Sequence, residues 1–146
     1  MTTEPAGVPP GGFRIVDQIN GTNATLFRGT DSGLSVAIEL ISEHVSGAPV
    51  VSDAGTLIGF ISEFDVLRAL EEGYDLAKIR ADQIMSKCPI IIRHTTTLKD
   101  AVRVMEEYHL LVLPVEKEGV VAYSITRHDL LRAWIGLGPS VEQEAA

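Results

Sequence analysis

An α/β (α+β) fold of two β-α-β-β-α repeats, packed sheet to sheet about a pseudo-twofold axis, is the architecture this sequence predicts. Three observations carry the expectation. The second half restates the first at an offset of 64 to 65 residues. Within each half the apolar residues pass between helical and strand spacing in the same order. One such unit of about 55 residues is small for a core of its own, so the pair is expected to form the domain.

The elements follow in order. Residues 1–12, with Pro5, Pro9 and Pro10 and neither a basic region nor an apolar run, are expected to be a disordered N-terminal arm, not a signal peptide or anchor. Residues 13–73 form the first repeat. Asp17-Gln18-Ile19 opens it and returns as Asp82-Gln83-Ile84. A β-prone run at 25–28 precedes an amphipathic helix whose apolar positions are Leu34, Ala37, Ile38, Ile41 and Val45. A strand at 49–52, the turn Asp53-Ala54-Gly55 and a strand at 57–62 make a hairpin. A closing helix presents Phe64, Leu67 and Leu70 as its apolar face.

Residues 74–138 hold the linker and the second repeat. A β-prone run at 90–93 leads to a helix with Leu98, Ala101, Val102 and Met105 on one side. A hairpin turning at Lys117-Glu118-Gly119 joins strands at 114–116 and 121–126, and a helix with Leu130, Leu131 and Trp134 closes the unit. The register holds throughout: Gly55, Ile61, Asp65, Leu67, Arg68 and Ala69 correspond to Gly119, Ile125, Asp129, Leu131, Arg132 and Ala133. Residues 139–146 are expected to fray.

Composition narrows the function. The chain has 146 residues, 45% hydrophobic but only 5% aromatic, which suits a compact aliphatic core. A net charge of −8 would repel nucleic acid and an anionic membrane surface, so neither is expected as a partner. Cys88 is the one cysteine, so no internal disulfide and no thiolate metal cluster can form. No run approaches the roughly 20 apolar residues of a membrane span. A cytoplasmic protein without a metal is the expectation.

The residues Gly47-Ala48-Pro49-Val50-Val51 and the run from Gly55-Thr56-Leu57 through Ser62-Glu63-Phe64-Asp65 carry a family resemblance. So do Leu113-Pro114-Val115 and Ser124-Ile125-Thr126-Arg127-His128-Asp129 in the second repeat. Over residues 16–138 the chain resembles a tandem pair of cystathionine-β-synthase (CBS) domains, a stand-alone Bateman-type regulatory module. The resemblance implies a regulatory adenosine nucleotide, AMP, ADP or ATP, held between the repeats, with no cofactor required. It also implies a homodimer, a disc of four CBS repeats, that signals to an effector protein in trans.

Ser62-x-x-Asp65 and Thr126-x-x-Asp129 stand where a strand gives way to a helix. Each reads as a capping box, in which the hydroxyl and the acid satisfy helix-start N–H groups. Each also suits a nucleotide, since a helix start favours phosphate and a carboxylate can accept from the vicinal hydroxyls of a ribose. Arg127 and His128 flank Asp129, where the first repeat has Glu63 and Phe64. A guanidinium within about 6 Å of a phosphate gains roughly 1 to 3 kcal/mol. The second motif is therefore expected to hold phosphate better.

His44 and His109 lie at equivalent helix ends, as dipole-favoured caps or as pH-dependent phosphate contacts. By the resemblance, an adenine slot would be lined by Pro89 and Ile90 or by Thr25, together with Ala48-Pro49 or Leu113-Pro114. The chain departs from the family pattern twice: Asn20 stands where the second repeat has Met85, and Tyr123 where the first has Gly59. Tyr123 either stacks on a base or fills the pocket. No nucleophile elbow, phosphate loop or metal-spaced His pair is present, so no catalytic residue is expected. The competing readings are a ligand-free structural dimerisation module and a binder of S-adenosylmethionine or NAD.

Overall fold

The computed structural model describes residues 12–19, 24–87 and 90–137. The expected N-terminal arm up to residue 11, the tail 139–146, Asn20, Cys88 and Pro89 lie outside the described residues. Two three-stranded sheets are present. In the first, β1 (Phe27–Arg28) runs parallel to β2 (Gly47–Val51), which pairs antiparallel with β3 (Leu57–Ser62). The second repeats this order with β4 (Ile92–Arg93), β5 (Val112–Lys117) and β6 (Val120–Thr126). The β5–β6 turn is tight because Glu118 and Gly119 both take the left-handed conformation a two-residue hairpin requires, at φ 55° and 83°.

Each sheet carries two helices on its outer side, α1 (Gly33–Glu43) and α2 (Glu63–Glu71) on the first, α4 (Leu98–Glu107) and α5 (Arg127–Trp134) on the second. A short helix, α3 (Ala81–Ile84), lies between the repeats. Hydroxyls start the long helices: Ser35 N–H donates to Ser32 Oγ at 3.0 Å before α1, and Asp100 N–H to Thr97 Oγ1 at 3.1 Å before α4. The inner faces of the sheets meet, β2 lying against β5 and β6. This is the predicted sheet-to-sheet pair.

Expectations about three helix faces are corrected. In α1 the residues on the sheet are Val36 and Leu40, with Ala37 and Val45 of the expected face packed against the same core, whereas Leu34, Ile38 and Ile41 are 44%, 55% and 70% exposed. In α2 the buried residues are Val66 and Ala69, and the stripe Phe64, Leu67 and Leu70 faces outward; in α5 only Leu130 of the named face is buried, with Leu131 and Trp134 exposed. The physical reason is that these helices are apolar on two sides. One apolar side lies on the helix's own sheet, and the other is left unpartnered within the chain. The α4 face is as expected, with Leu98, Ala101 and Met105 buried.

The two repeats exchange their opening segments. A 3-10 helix at Val16–Ile19 packs into the core of the second sheet, and Ala81, Ile84 and Met85 pack into that of the first. The backbone bonds are equivalent on the two sides. Val16 N–H donates to Thr96 O and Asp17 N–H to His94 O, as Ala81 N–H donates to Asp31 O and Asp82 N–H to Gly29 O, at 2.8 to 3.0 Å. The division between residues 73 and 74 therefore separates the repeats in sequence but not in the core.

The exchange explains why Tyr123 stands where the first repeat has Gly59. In the first half Met85 folds onto Gly59, and a Cβ there would meet its Sδ and stand 2.7 Å from Ser86 O. In the second half Tyr123 fills the equivalent space with its own ring. Gly59→Ala is expected to cost about 2 kcal/mol, within the range for overpacking a core. Urea unfolding checks this, and Met85→Ala in the same chain should recover only part of the loss because the carbonyl remains.

Candidate functional site

Strand alternation decides which side chains look into the space between the sheets. The pairs Ala48–Ile61 and Leu113–Ile125 belong to the helix-side cores, so Gly47–Ser62, Pro49–Phe60, Val112–Thr126 and Pro114–Ser124 lie on the opposite, facing sides. Ser62 and Thr126 thus end their strands on the inter-sheet faces and begin α2 and α5. Both boxes are formed. Ser62 N–H donates to Asp65 Oδ2 at 2.8 Å and Asp65 N–H to Ser62 Oγ at 3.3 Å. Thr126 N–H donates to Asp129 Oδ2 at 2.9 Å and Asp129 N–H to Thr126 Oγ1 at 3.1 Å.

The boxes differ in charge and in company. Arg68 donates to Asp65 Oδ1 at 3.2 Å, so both oxygens of that carboxylate serve the protein itself. The Glu63 carboxylate, exposed, adds negative charge at the same helix start. At the second box Arg127 supplies a cation instead. Behind Thr126, on the same face, the Ser124 hydroxyl is 1% exposed and has no hydrogen-bond partner among the described residues; Phe60 occupies that place in the first repeat. A buried hydroxyl without a partner is costly, on the order of 1 to 3 kcal/mol.

The other predicted residues fall into two groups. Ala48, 1% exposed, is part of the first core, and Ile90 packs against the second; Thr25, half-buried, precedes β1. His44 and His109 are both exposed and left-handed, at φ 54° and 55°, where they end α1 and α4. His109 and Arg127 line one open groove of about 750 Å³ between α4 and α5, on the outer side of the sheet. His128 is exposed on the first turn of α5. The structure therefore gathers Ser62 with Asp65 and Thr126 with Asp129, and places Arg127 and His109 on the lining of the groove beside the second box.

Tyr123 is resolved as a core residue. It is 6% exposed, its ring lies in the second core, and its hydroxyl donates to Asp17 Oδ1 at 3.0 Å while Lys117 Nζ reaches Asp17 Oδ2 at 3.3 Å. Burial first, then the Asp17 bond and charge, push the Tyr123 phenol well above its usual range. Sequence reasoning missed Asp17, Lys117 and Ser124. For Asp17 a signal existed in the repeated Asp-Gln-Ile; for Ser124 only the break with Phe60 could have pointed to it.

No helix among the described residues is long and apolar enough to cross a membrane, and no group of three or more His, Cys, Asp or Glu there could hold a metal ion.

Comparison with known proteins matches two stretches, residues 16–72 and 81–136, to the model of the CBS domain. The chain is 33% identical over 103 residues to an uncharacterized protein of Methanocaldococcus jannaschii, a match covering 70% of this chain and 36% of that protein. It spans between about a quarter and a third of the length of the first curated relatives it matches. Among solved structures, CBSX2 in complex with AMP is 25% identical with a TM-score of 0.71, covering 85% of this chain and 97% of that one; CBSX2 is a protein of Arabidopsis thaliana. The CBS domain pair of protein MJ0100 in complex with 5′-methylthioadenosine and S-adenosyl-L-methionine superposes equally well, with a TM-score of 0.71 at 23% identity, over 84% of this chain and 96% of that one.

Proposed function

Since this chain belongs to the CBS domain family, as a tandem pair of its repeats, we propose that it is a regulatory module that binds an adenosine nucleotide between the repeats. The second-repeat junction is the principal site. Asp129 accepts from the ribose hydroxyls, the start of α5 and Arg127 hold phosphate, and the orphan Ser124 hydroxyl meets a polar edge of the ligand. That buried, unpartnered hydroxyl beside the Thr126–Asp129 box is the observation that carries the reading. The AMP and S-adenosylmethionine bound by similar CBS pairs support the adenosine class.

The module acts as a homodimer, a disc of four repeats, and its output passes in trans to an effector protein through dimer geometry. Binding works by differential affinity for two such geometries. Chemistry on the ligand is not part of the proposal, because Asp65 and Asp129 sit in separate capping boxes. A cytoplasmic setting belongs to the same reading, as a single cysteine offers no internal disulfide.

Thermal shift with AMP, ADP, ATP, S-adenosylmethionine and NAD tests it. A ligand at a hundred times its Kd stabilises the native state by about 2.7 kcal/mol, roughly 10 °C in Tm for a chain of this size. AMP, ADP or ATP is expected to give such a rise. If none of the five moves the transition, the boxes only cap helices and the protein is a structural dimerisation module.

A further inference from the structure

We propose that two copies of this chain pair head to tail, the α1/α2 face of one seated on the α4/α5 face of the other. The proposal rests on the homodimer reading above and adds its direction.

Both helix faces are uncovered. On the first, Ile38, Ile41, Phe64, Leu67 and Leu70 are 50% to 74% exposed. On the second, Leu131 and Trp134 are 62% and 57% exposed and, with Val102, Met105 and Leu110, line the groove of about 750 Å³. Apolar side chains this exposed at helical spacing are a surface that a second copy can cover.

Charge selects the pairing. Helices α1 and α2 carry Glu39, Glu43, Glu63, Asp65 and Glu71 against Arg68 alone. Helices α4 and α5 carry Lys99, Arg103, Arg127 and Arg132 against Asp100, Glu106, Glu107 and Asp129, and balance. Joining two first faces would set one strongly acidic surface on another. Like charges brought together across an interface exclude a partner, whereas an acidic face on a balanced one does not incur that cost.

The repeat offset names the opposing positions. Glu63 corresponds to Arg127, Leu67 to Leu131 and Leu70 to Trp134. In a head-to-tail pair the first-repeat positions lie against second-repeat positions of the other copy, so the side of Glu63 and Leu67 meets the side of Arg127 and Leu131. In a head-to-head pair the side of Glu63 and Leu67 meets itself.

Cross-linking decides the direction. In a Cys88→Ser background, Leu67→Cys and Leu131→Cys are treated without nucleotide with a short bismaleimide, singly and mixed, after light scattering has established the dimer. The mixture is expected to give a covalent dimer and each single variant only background. Self-linking of either single variant, or no linking of a species that scatters as a dimer, overturns the head-to-tail arrangement and leaves the homodimer standing. A monomer at tens of micromolar overturns the homodimer itself. Independently, Glu63→Arg is expected to weaken the dimer about tenfold and Arg127→Glu in the same chain to restore it; a stronger dimer from Glu63→Arg alone overturns the direction.

Discussion

Asp129→Ala is expected to weaken AMP binding by about 10- to 100-fold, and Asp65→Ala by less. The size follows from losing charge-assisted hydrogen bonds to the ribose, about 1.5 to 3 kcal/mol, or one to two powers of ten in Kd. The inequality follows from the surroundings. Asp65 already answers Ser62 and Arg68 and sits beside Glu63, whereas Asp129 sits beside Arg127 with the Ser124 hydroxyl behind it. Both substitutions also break a capping box, at about 1 kcal/mol of stability each. Urea unfolding of the two variants measures that shared cost, and isothermal titration with AMP then isolates the difference. Equal losses of affinity would remove the asymmetry on which the choice of the second site rests.

Asp17→Ala should destabilise the protein by about 2 to 3 kcal/mol although the residue lies far from either box in sequence. It would leave the buried Tyr123 hydroxyl without its acceptor and Lys117 without its nearest carboxylate. Tyr123→Phe removes the donor as well and should cost less, about 1 kcal/mol. The same contact makes a pH prediction. In the unfolded chain Tyr123 ionises near pH 10; in the native protein burial and Asp17 hold the phenol protonated well beyond that. The native state is then favoured below pH 10 and loses ground as pH rises past it, because the unfolded state releases a proton the native state keeps. Urea midpoints measured from pH 8 to 11 should fall for the natural protein and flatten at the alkaline end for Tyr123→Phe. Parallel curves would dissociate Tyr123 from the effect.

The backbone plan was legible because each copy states it twice over. Leu57–Ser62 and the capping boxes fall where strand alternation yields to an S/T-x-x-D junction, and the second copy repeats the sequence of signals. The orientation of α1, α2 and α5 was not legible. A helix with Val36 and Leu40 on one side and Leu34, Ile38 and Ile41 on the other offers two apolar stripes, and spacing alone does not choose between them. Nor could the exchange be read: Val16, Ile19, Ala81 and Ile84 are visible as apolar positions, but spacing does not say which sheet they cover, and the backbone bonds that direct them, such as Asp82 N–H to Gly29 O, leave no mark on residue type. At the site, the boxes and Arg127 were visible as motifs. Ser124 was not, because a serine in a strand carries no signal of its own until the lack of a partner is seen.

The crossing of Val16–Ile19 to one sheet and Ala81–Ile84 to the other makes the duplication indivisible. Each half borrows part of its wall from its twin, so neither is a complete folding unit, and the pair should melt in a single cooperative step. In the proposed sensor, a ligand that tightens one junction would pull on a strap anchored in the opposite half, so that the whole body would answer as one piece.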